Sequence, residues 1–282
     1  MVILVTGATG TVGREVVRRL QADAEVRVLT RDPARVTGAG RITVVRGDYG
    51  DASSLRAALH GVSSAFLVTT VVGGDQDARF VRAAADAGVE HVVKLSAAAV
   101  EDPAADDLIT RWQRESEQLL RSSGLAWTLL RPRSFMSNSL AWAADIRTEG
   151  VVRDLYGESP NACVDPGDIA EVAVRALTRP GHAGRAYLLT GPEAVTAVER
   201  TAQLSSLLGR PLRFEELGPD QARSRWSRRH PPAVVEALLQ SALRQRRGAK
   251  AQVDETFAGV VGRSARTFGQ WAADHVTSFS GR

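Results

Sequence analysis

Three glycines within the first thirteen residues, MVILVTGATGTVG, constrain the fold more than any other feature of the chain. Val2 to Val5 is a short apolar run, the length of a fully buried strand. Thr6-Gly7-Ala8-Thr9-Gly10 breaks that run. Val12, Val16, Val17 and Leu20 follow at helical spacing, with Arg14, Glu15, Arg18 and Arg19 on the other faces. Strand, glycine turn and helix form the setting in which a Gly-x-x-Gly-x-x-Gly spacing reads as a dinucleotide fingerprint. Gly7 allows the tight turn, Gly10 lets the backbone approach a pyrophosphate, and Gly13 lets helix and strand pack closely. The anion then sits on the unpaired amides of the helix N-terminus. A glycine triplet also occurs in ordinary strand-to-helix turns, so the rest of the chain must support the reading.

The chain has 282 residues, 44% hydrophobic and 24% charged, which suits one large α/β domain or a domain with a smaller lobe. No run approaches the roughly 18 apolar residues of a membrane span. The N-terminus carries no basic leader, so no signal peptide is expected and the expected compartment is the cytoplasm. Cys163 is the one cysteine, and the histidines at 60, 91, 182, 230 and 275 are scattered, so no metal site is expected. The net charge is +4, and among 36 basic residues only Lys94 and Lys250 are lysines. The segment Arg223 to His230 reads as a nucleic-acid patch or as a solvated, partner-facing helix beside Pro231-Pro232. The second reading is preferred, so the expected partner is a small hydrophobic substrate, bound to a monomer or homodimer.

Glu25 to Thr30 reads as a second strand, ending at Thr30-Arg31 with Arg35 one turn further on. An arginine at this position accommodates the 2′-phosphate of NADPH, and Asp32 beside it leaves NADH open. Further strands are expected over 41–46, 64–70, 90–96 and 126–131, with helices over 53–59, 75–87 and 108–122. This alternation predicts right-handed βαβ units and a parallel sheet whose ligands sit beyond the strands' carboxyl ends. Gly7, Arg31, Asp48, Thr69, Ser96 and Pro132 occupy those ends. Beyond Pro132 the pattern fails over 134–145, and 151–160 reads as loop. A helix over 165–177, capped by Asp165, and a last strand over 186–190 return to the sheet. Helices are expected over 196–208, 219–228, 232–247 and 264–277. The predicted fold is a Rossmann-like, doubly wound parallel sheet. Residues 1–132 form the dinucleotide-binding core and 133–282 a smaller, mostly helical substrate-binding lobe interleaved with it.

TGATGTVG at 6–13, VVKLSA at 92–97, SGLAWTLLRPRSFMSN at 123–138 and DPGDIAEVAVRAL at 165–177 resemble the NmrA-like atypical short-chain dehydrogenase/reductases. The resemblance covers about the first 190 residues well. It implies that Gly7, Thr9, Gly10, Thr11, Val12 and Gly13 hold the pyrophosphate and Arg31 the 2′-phosphate, with Arg35 nearby. It places Asp48 and Tyr49 beside the adenine, Thr69 and Thr70 at the nicotinamide ribose, and Ser96, Pro132 and Phe135 near the nicotinamide. Many members of the superfamily reduce carbonyls with a Ser, a Tyr and a Lys four residues later. Here the tyrosines are Tyr49, Tyr156 and Tyr187, none in the helix after Ser96, and that helix contains no lysine. Many relatives carry a His where Gln113 stands, so that substitute acid is missing too.

Ser96 is left as the candidate catalytic residue, a weak acid that can orient a substrate oxygen. An acceptor suited to such a site needs little acid help: a quinone, a conjugated enone or a phenol-stabilised aromatic ketone. The expected function is an NADPH-dependent reductase of a hydrophobic, aromatic, polyketide-like carbonyl or quinone, as in tailoring an antibiotic. Its pocket is expected between sheet edge and cap, lined by Trp112, Gln113, Met136, Trp142 and Trp226. The alternative is a non-catalytic NADP(H)-sensing regulator that binds a protein or nucleic acid. A carbohydrate epimerase is the weaker third reading, because such enzymes usually keep the Tyr and Lys.

Overall fold

A computed structural model describes residues 1–282 apart from Asp23, Thr37, Ala39, Gly281 and Arg282. In chain order its elements begin with β1 (Val2–Val5), α1 (Thr11–Leu20), β2 (Glu25–Thr30), β3 (Ile42–Arg46), α2 (Ala52–Leu59), β4 (Ser64–Leu67) and α3 (Gln76–Asp86). They continue with β5 (His91–Leu95), α4 (Leu108–Arg121), β6 (Ala126–Pro132), α5 (Ala143–Glu149), β7 (Val151–Asp154), α6 (Pro166–Thr178) and β8 (Arg185–Leu189). The remainder is α7 (Ala197–Leu208), β9 (Arg213–Glu216), α8 (Pro219–Trp226), α9 (Pro232–Arg246), α10 (Thr256–Val261), α11 (Phe268–Asp274) and α12 (Val276–Ser280).

Two compact units emerge. The first comprises residues 1–100, 110–132 and 166–188, and the second 101–109, 133–165 and 189–282. The main sheet runs β3-β2-β1-β4-β5-β6-β8, and the pairings from β3 across to β6 are parallel. Strand order reverses between β1 and β4, which makes that gap the topological switch point. Helices cover both faces, so the strands read as continuous apolar runs. Leu4, Leu29, Leu67, Val92 and Leu129 pack on Leu55, Leu59, Phe80 and Leu120 of α2, α3 and α4. The apolar stripe of α1 (Val12, Val16, Val17 and Leu20) is buried, and α1 packs on α6.

Several boundaries differ from the sequence reading, each for a physical reason. The strand expected over 64–70 stops at Leu67, because the Val68 amide donates to the Thr6 hydroxyl (2.8 Å) and not to a neighbouring strand. Thr6 in turn donates to the Phe66 carbonyl (3.1 Å), so one side chain pins β1 and β4 where they part. In the second unit, 151–160 is not all loop: Val151–Asp154 is β7, paired in parallel with β9. β9 also follows the strand expected to be last. Arg153 stands opposite Glu215 in that ladder and bonds it at 2.7 Å, so a charged pair supports the strands. The stretch 134–145 forms a 3-10 turn (Met136–Trp142) leading into α5, which ends at Gly150 in the left-handed region (φ 68°). The helix expected over 264–277 is two: α11 starts at the capping box of Thr267 and Gln270, and His275 separates it from α12. The second unit's core gathers Met136, Trp142, Ile146, Phe268, Trp271 and Phe279.

Candidate functional site

The parallel strands of the first unit all point their carboxyl ends at one edge, and the predicted cofactor residues of that unit lie along it. Gly7 follows β1 with φ 63°, a left-handed turn that glycine adopts freely. A β-carbon there would stand 2.9 Å from the Val68 Cβ. Gly10 is the N-cap of α1 and donates its amide to the Gly7 carbonyl (2.9 Å). At Gly13 a β-carbon would sit 2.2 Å from the Gly7 oxygen, so helix and turn are in backbone contact. No side chain caps α1 and no acidic residue stands in its first turn. The first-turn amides contributed by Thr11, Val12 and Gly13 therefore face outward without an intrahelical acceptor. These outward-facing amides fit a dinucleotide pyrophosphate. Thr9 is half-buried beside them.

At the end of β2, Arg31 is 80% exposed, 4.0 Å from Asp48. Arg35 is exposed in the 3-10 turn Pro33–Arg35. Asp32 caps that turn, its carboxylate accepting from the Ala34 amide at 3.2 Å. The acidic group that could have held a 2′-hydroxyl is thus engaged with its own backbone, whereas the guanidinium groups of Arg31 and Arg35 are exposed. Beyond β3, Asp48 accepts from the Gly50 amide (2.6 Å). The Tyr49 phenol donates to the Val68 carbonyl (2.7 Å), and its ring stands edge-on to Phe80. Burial raises the phenol's pKa well above its ordinary value.

The ends of β4 and β5 hold two buried polar assemblies that sequence reasoning missed. Thr69 donates to Asp77 (2.9 Å), and the other oxygen of Asp77 accepts from Lys94 (2.7 Å), whose side chain is fully buried in β5. A lysine within the apolar run VVKLS was the available signal, since a buried ammonium requires a carboxylate partner. Thr70 donates its amide to Gln76 (3.2 Å). Ser96 is buried just past β5, and its hydroxyl donates to Glu117 of α4 at 2.6 Å. Arg131 of β6 grips the same carboxylate through Nε (2.9 Å) and a terminal nitrogen (2.5 Å). The serine proton is therefore committed to Glu117. No local pattern in sequence links positions 96, 117 and 131.

On α4, one turn before Glu117, Trp112 and Gln113 are buried, and the Trp112 Nε1 and the Gln113 Oε1 lack hydrogen-bond partners among the described residues. Trp112 also lies against Lys94, 5.8 Å from nitrogen to ring centre. Both side chains of α4 thus keep polar atoms in reserve. Pro132 is buried at the end of β6. In the second unit, Phe135 is half-buried and bridged to Val164 through the backbone. Met136 and Trp142 were expected in a pocket wall, but they are 1% and 4% exposed and pack in the second unit's core, with Arg200 over the Trp142 ring. Trp226 ends α8 half-buried. Among the described residues no cluster of His, Cys, Asp or Glu could hold a metal, and no helix is long and apolar enough to cross a membrane.

Comparison with known proteins follows this geometry. A family model described as NAD(P)H-binding matches residues 7–180. The chain is 58% identical over 279 residues, 99% of each chain, to the (4-alkanoyl-5-oxo-2,5-dihydrofuran-3-yl)methyl phosphate reductase of Streptomyces griseus. It is 38% identical to the NAD(P)H azoreductase of Xenophilus azovorans, covering 98% of this chain and 99% of that one. Among solved structures, the NADPH-dependent quinone oxidoreductase of Escherichia coli complexed with NADPH superimposes with a TM-score of 0.84 at 27% identity, covering 98% of both chains. The glycine turn, the parallel sheet around it and these full-length likenesses agree: the chain belongs to the NAD(P)H-binding family.

Proposed function

We propose that the chain reduces the conjugated carbon–carbon double bond of an acylated unsaturated lactone that carries a phosphate, using NADPH. The broader class is an NAD(P)H-dependent oxidoreductase acting on a small molecule. The observation that carries the narrower reading is the environment of Ser96. Its proton belongs to Glu117, the side chain where many relatives carry a His is the amide of Gln113, and Tyr49 and Tyr187 are engaged with Val68 and His182. An acceptor at such a site must stabilise its own developing charge. In a 4-alkanoyl-5-oxo-2,5-dihydrofuran the ring double bond is conjugated with both a lactone and a ketone carbonyl. Addition at ring carbon 3 leaves an enolate spread over both carbonyls, and water can protonate ring carbon 4. The 58% identical relative is named as a reductase of this kind of compound, bearing a methyl phosphate.

In this reading Gly7, Thr9, Gly10, Thr11, Val12 and Gly13 hold the pyrophosphate, and Arg31 and Arg35 the 2′-phosphate. Asp48 and Tyr49 flank the adenine, Thr69 and Thr70 the ribose, and Ser96 and Pro132 the nicotinamide. The reduced nicotinamide, when bound, supplies the hydride. Lys94 and Asp77 fix Thr69, and Glu117 with Arg131 fixes Ser96 and the end of β5. These buried pairs give a rigid edge, so position and exclusion of water, not acid catalysis, are the protein's contribution. The test is NADPH absorbance decay with an acyl butenolide phosphate, a naphthoquinone and an unactivated aromatic ketone. Oxidation is expected with the butenolide and the quinone and not with the ketone. Equal turnover of the ketone would overturn the reading, and saturable NADPH binding without any oxidation would favour the sensor.

A further inference from the structure

Arg133 and Lys250 of the second unit stand out as cations with no ion-pair partner within 4 Å among the described residues. Arg133 directly follows Pro132 at the carboxyl end of β6. Its amide donates to the Leu189 carbonyl (2.8 Å), and one terminal nitrogen donates to the Ala249 carbonyl (3.1 Å). Its Nε is buried and has no hydrogen-bond partner among the described residues. Lys250 comes next after Ala249, and its own carbonyl accepts from the Ala162 amide (2.9 Å). The Arg133 side chain is thus bonded to the 249–250 segment, and a backbone bond joins that segment to Ala162. No carboxylate is paired with the Lys250 ammonium among the described residues, whereas Lys94, the other lysine, has Asp77 at 2.7 Å. Arg244, a further cation near Lys250, is already paired with Asp107 (2.6 Å) and Asp102 (3.7 Å).

The charged and titratable groups around the pair are Glu101, Asp102 and Asp254 near Arg133, and Cys163, Asp154, Arg244 and Arg133 itself near Lys250. The Asp254 carboxylate accepts from the Thr256 amide (2.8 Å). The Asp154 carboxylate accepts from Leu155, and burial raises its pKa, weakening it as a counter-ion. Burial pushes both cations down, Lys250 to about 8, with mutual repulsion from Arg133 and Arg244 adding to it. A buried cation is tolerated when an anion completes it. A phosphate monoester carries about −1.5 to −2 at neutral pH and three acceptor oxygens, and a guanidinium with a free Nε binds such oxygens side by side.

We propose that Arg133 and Lys250 form the subsite for the phosphate group of the substrate. The subsite rests on the reading of the chain as a reductase of a phosphorylated lactone, and two experiments separate its failure from the failure of that reading. First, kcat/KM is compared for the acyl butenolide phosphate and its dephosphorylated alcohol, in the wild type and in Arg133→Gln and Lys250→Gln. The wild type is expected to prefer the phosphate, and each variant to lose about 10- to 100-fold of that preference, the weight of a charge-assisted hydrogen bond. An unchanged ratio in both variants overturns the subsite while leaving the reductase intact. Second, the protein is treated with an amine-acylating reagent, with inorganic phosphate or with chloride at equal ionic strength. Lys94 is fully buried, so Lys250 is the side-chain amine that should react. Protection by phosphate and not by chloride is expected, read by peptide mass spectrometry. Equal protection by both ions, or an unreactive Lys250, overturns the proposal even if no lactone is turned over.

Discussion

A β-carbon on Gly13 would stand 2.2 Å from the Gly7 oxygen, so Gly13→Ala must push the start of α1 away from the turn. Overpacking of this kind costs about 1–3 kcal/mol. The same movement displaces the first-turn amides proposed to hold the pyrophosphate. Gly13→Ala is therefore expected to remain folded but to bind NADPH at least about tenfold more weakly, the loss of one charge-assisted contact or more. Fluorescence titration beside a melting curve separates the two effects, and unimpaired binding would remove Gly13 from the cradle. At Lys250 the question is one of charge. Its folded pKa lies below the ordinary lysine value, at about 8, so the cation is present below that pH and lost above it. The substrate phosphate is fully ionised well before then, since its second pKa is about 6. The preference for a phosphorylated acceptor is thus expected to decline as pH rises through about 8. A kcat/KM ratio for phosphate against alcohol that stays flat to pH about 9.5 would contradict this.

The turn after β2 works as an element, because Asp32 holds the 3-10 segment in place while Arg31 and Arg35 project from it. Arg31→Glu is expected to lower kcat/KM for NADPH by about 10- to 100-fold and to affect NADH far less, since only NADPH presents a phosphate there. Parallel losses with both cofactors would show that Arg31 supports the turn and not the phosphate. Elements of this kind were legible in the sequence. Gly7, Gly10 and Gly13 sit within a few residues of one another, and the apolar faces of α1 and α6 repeat at helical spacing. The pair β7 and β9 was not legible. Each strand is four residues long, RFEE has scarcely any apolar face, and their pairing joins residues about sixty positions apart. The Ser96–Glu117–Arg131 assembly was hidden for the same reason, since three elements meet there and no local periodicity records the meeting. The burial of Met136 and Trp142 in the second unit's core was not legible, because a 3-10 turn shows neither of the regular periods from which a buried face is read.

Across the whole molecule, the order β3-β2-β1-β4-β5-β6-β8 puts the first strand made at the middle of the finished sheet. One neighbour of β1 is β2, only a helix away, but the other is β4, with Ile3 opposite Ser64. The helix that packs against α1 is later still, because α6 begins at Pro166. On a translating ribosome, at about 5–20 residues per second, α6 appears roughly 7 to 30 seconds after α1. Throughout that interval Val12, Val16, Val17 and Leu20 have β1 and β2 beside them but lack the helix that covers them. The same close packing that shapes the cofactor cradle thus makes the nascent N-terminus a surface for chaperones to shield during synthesis.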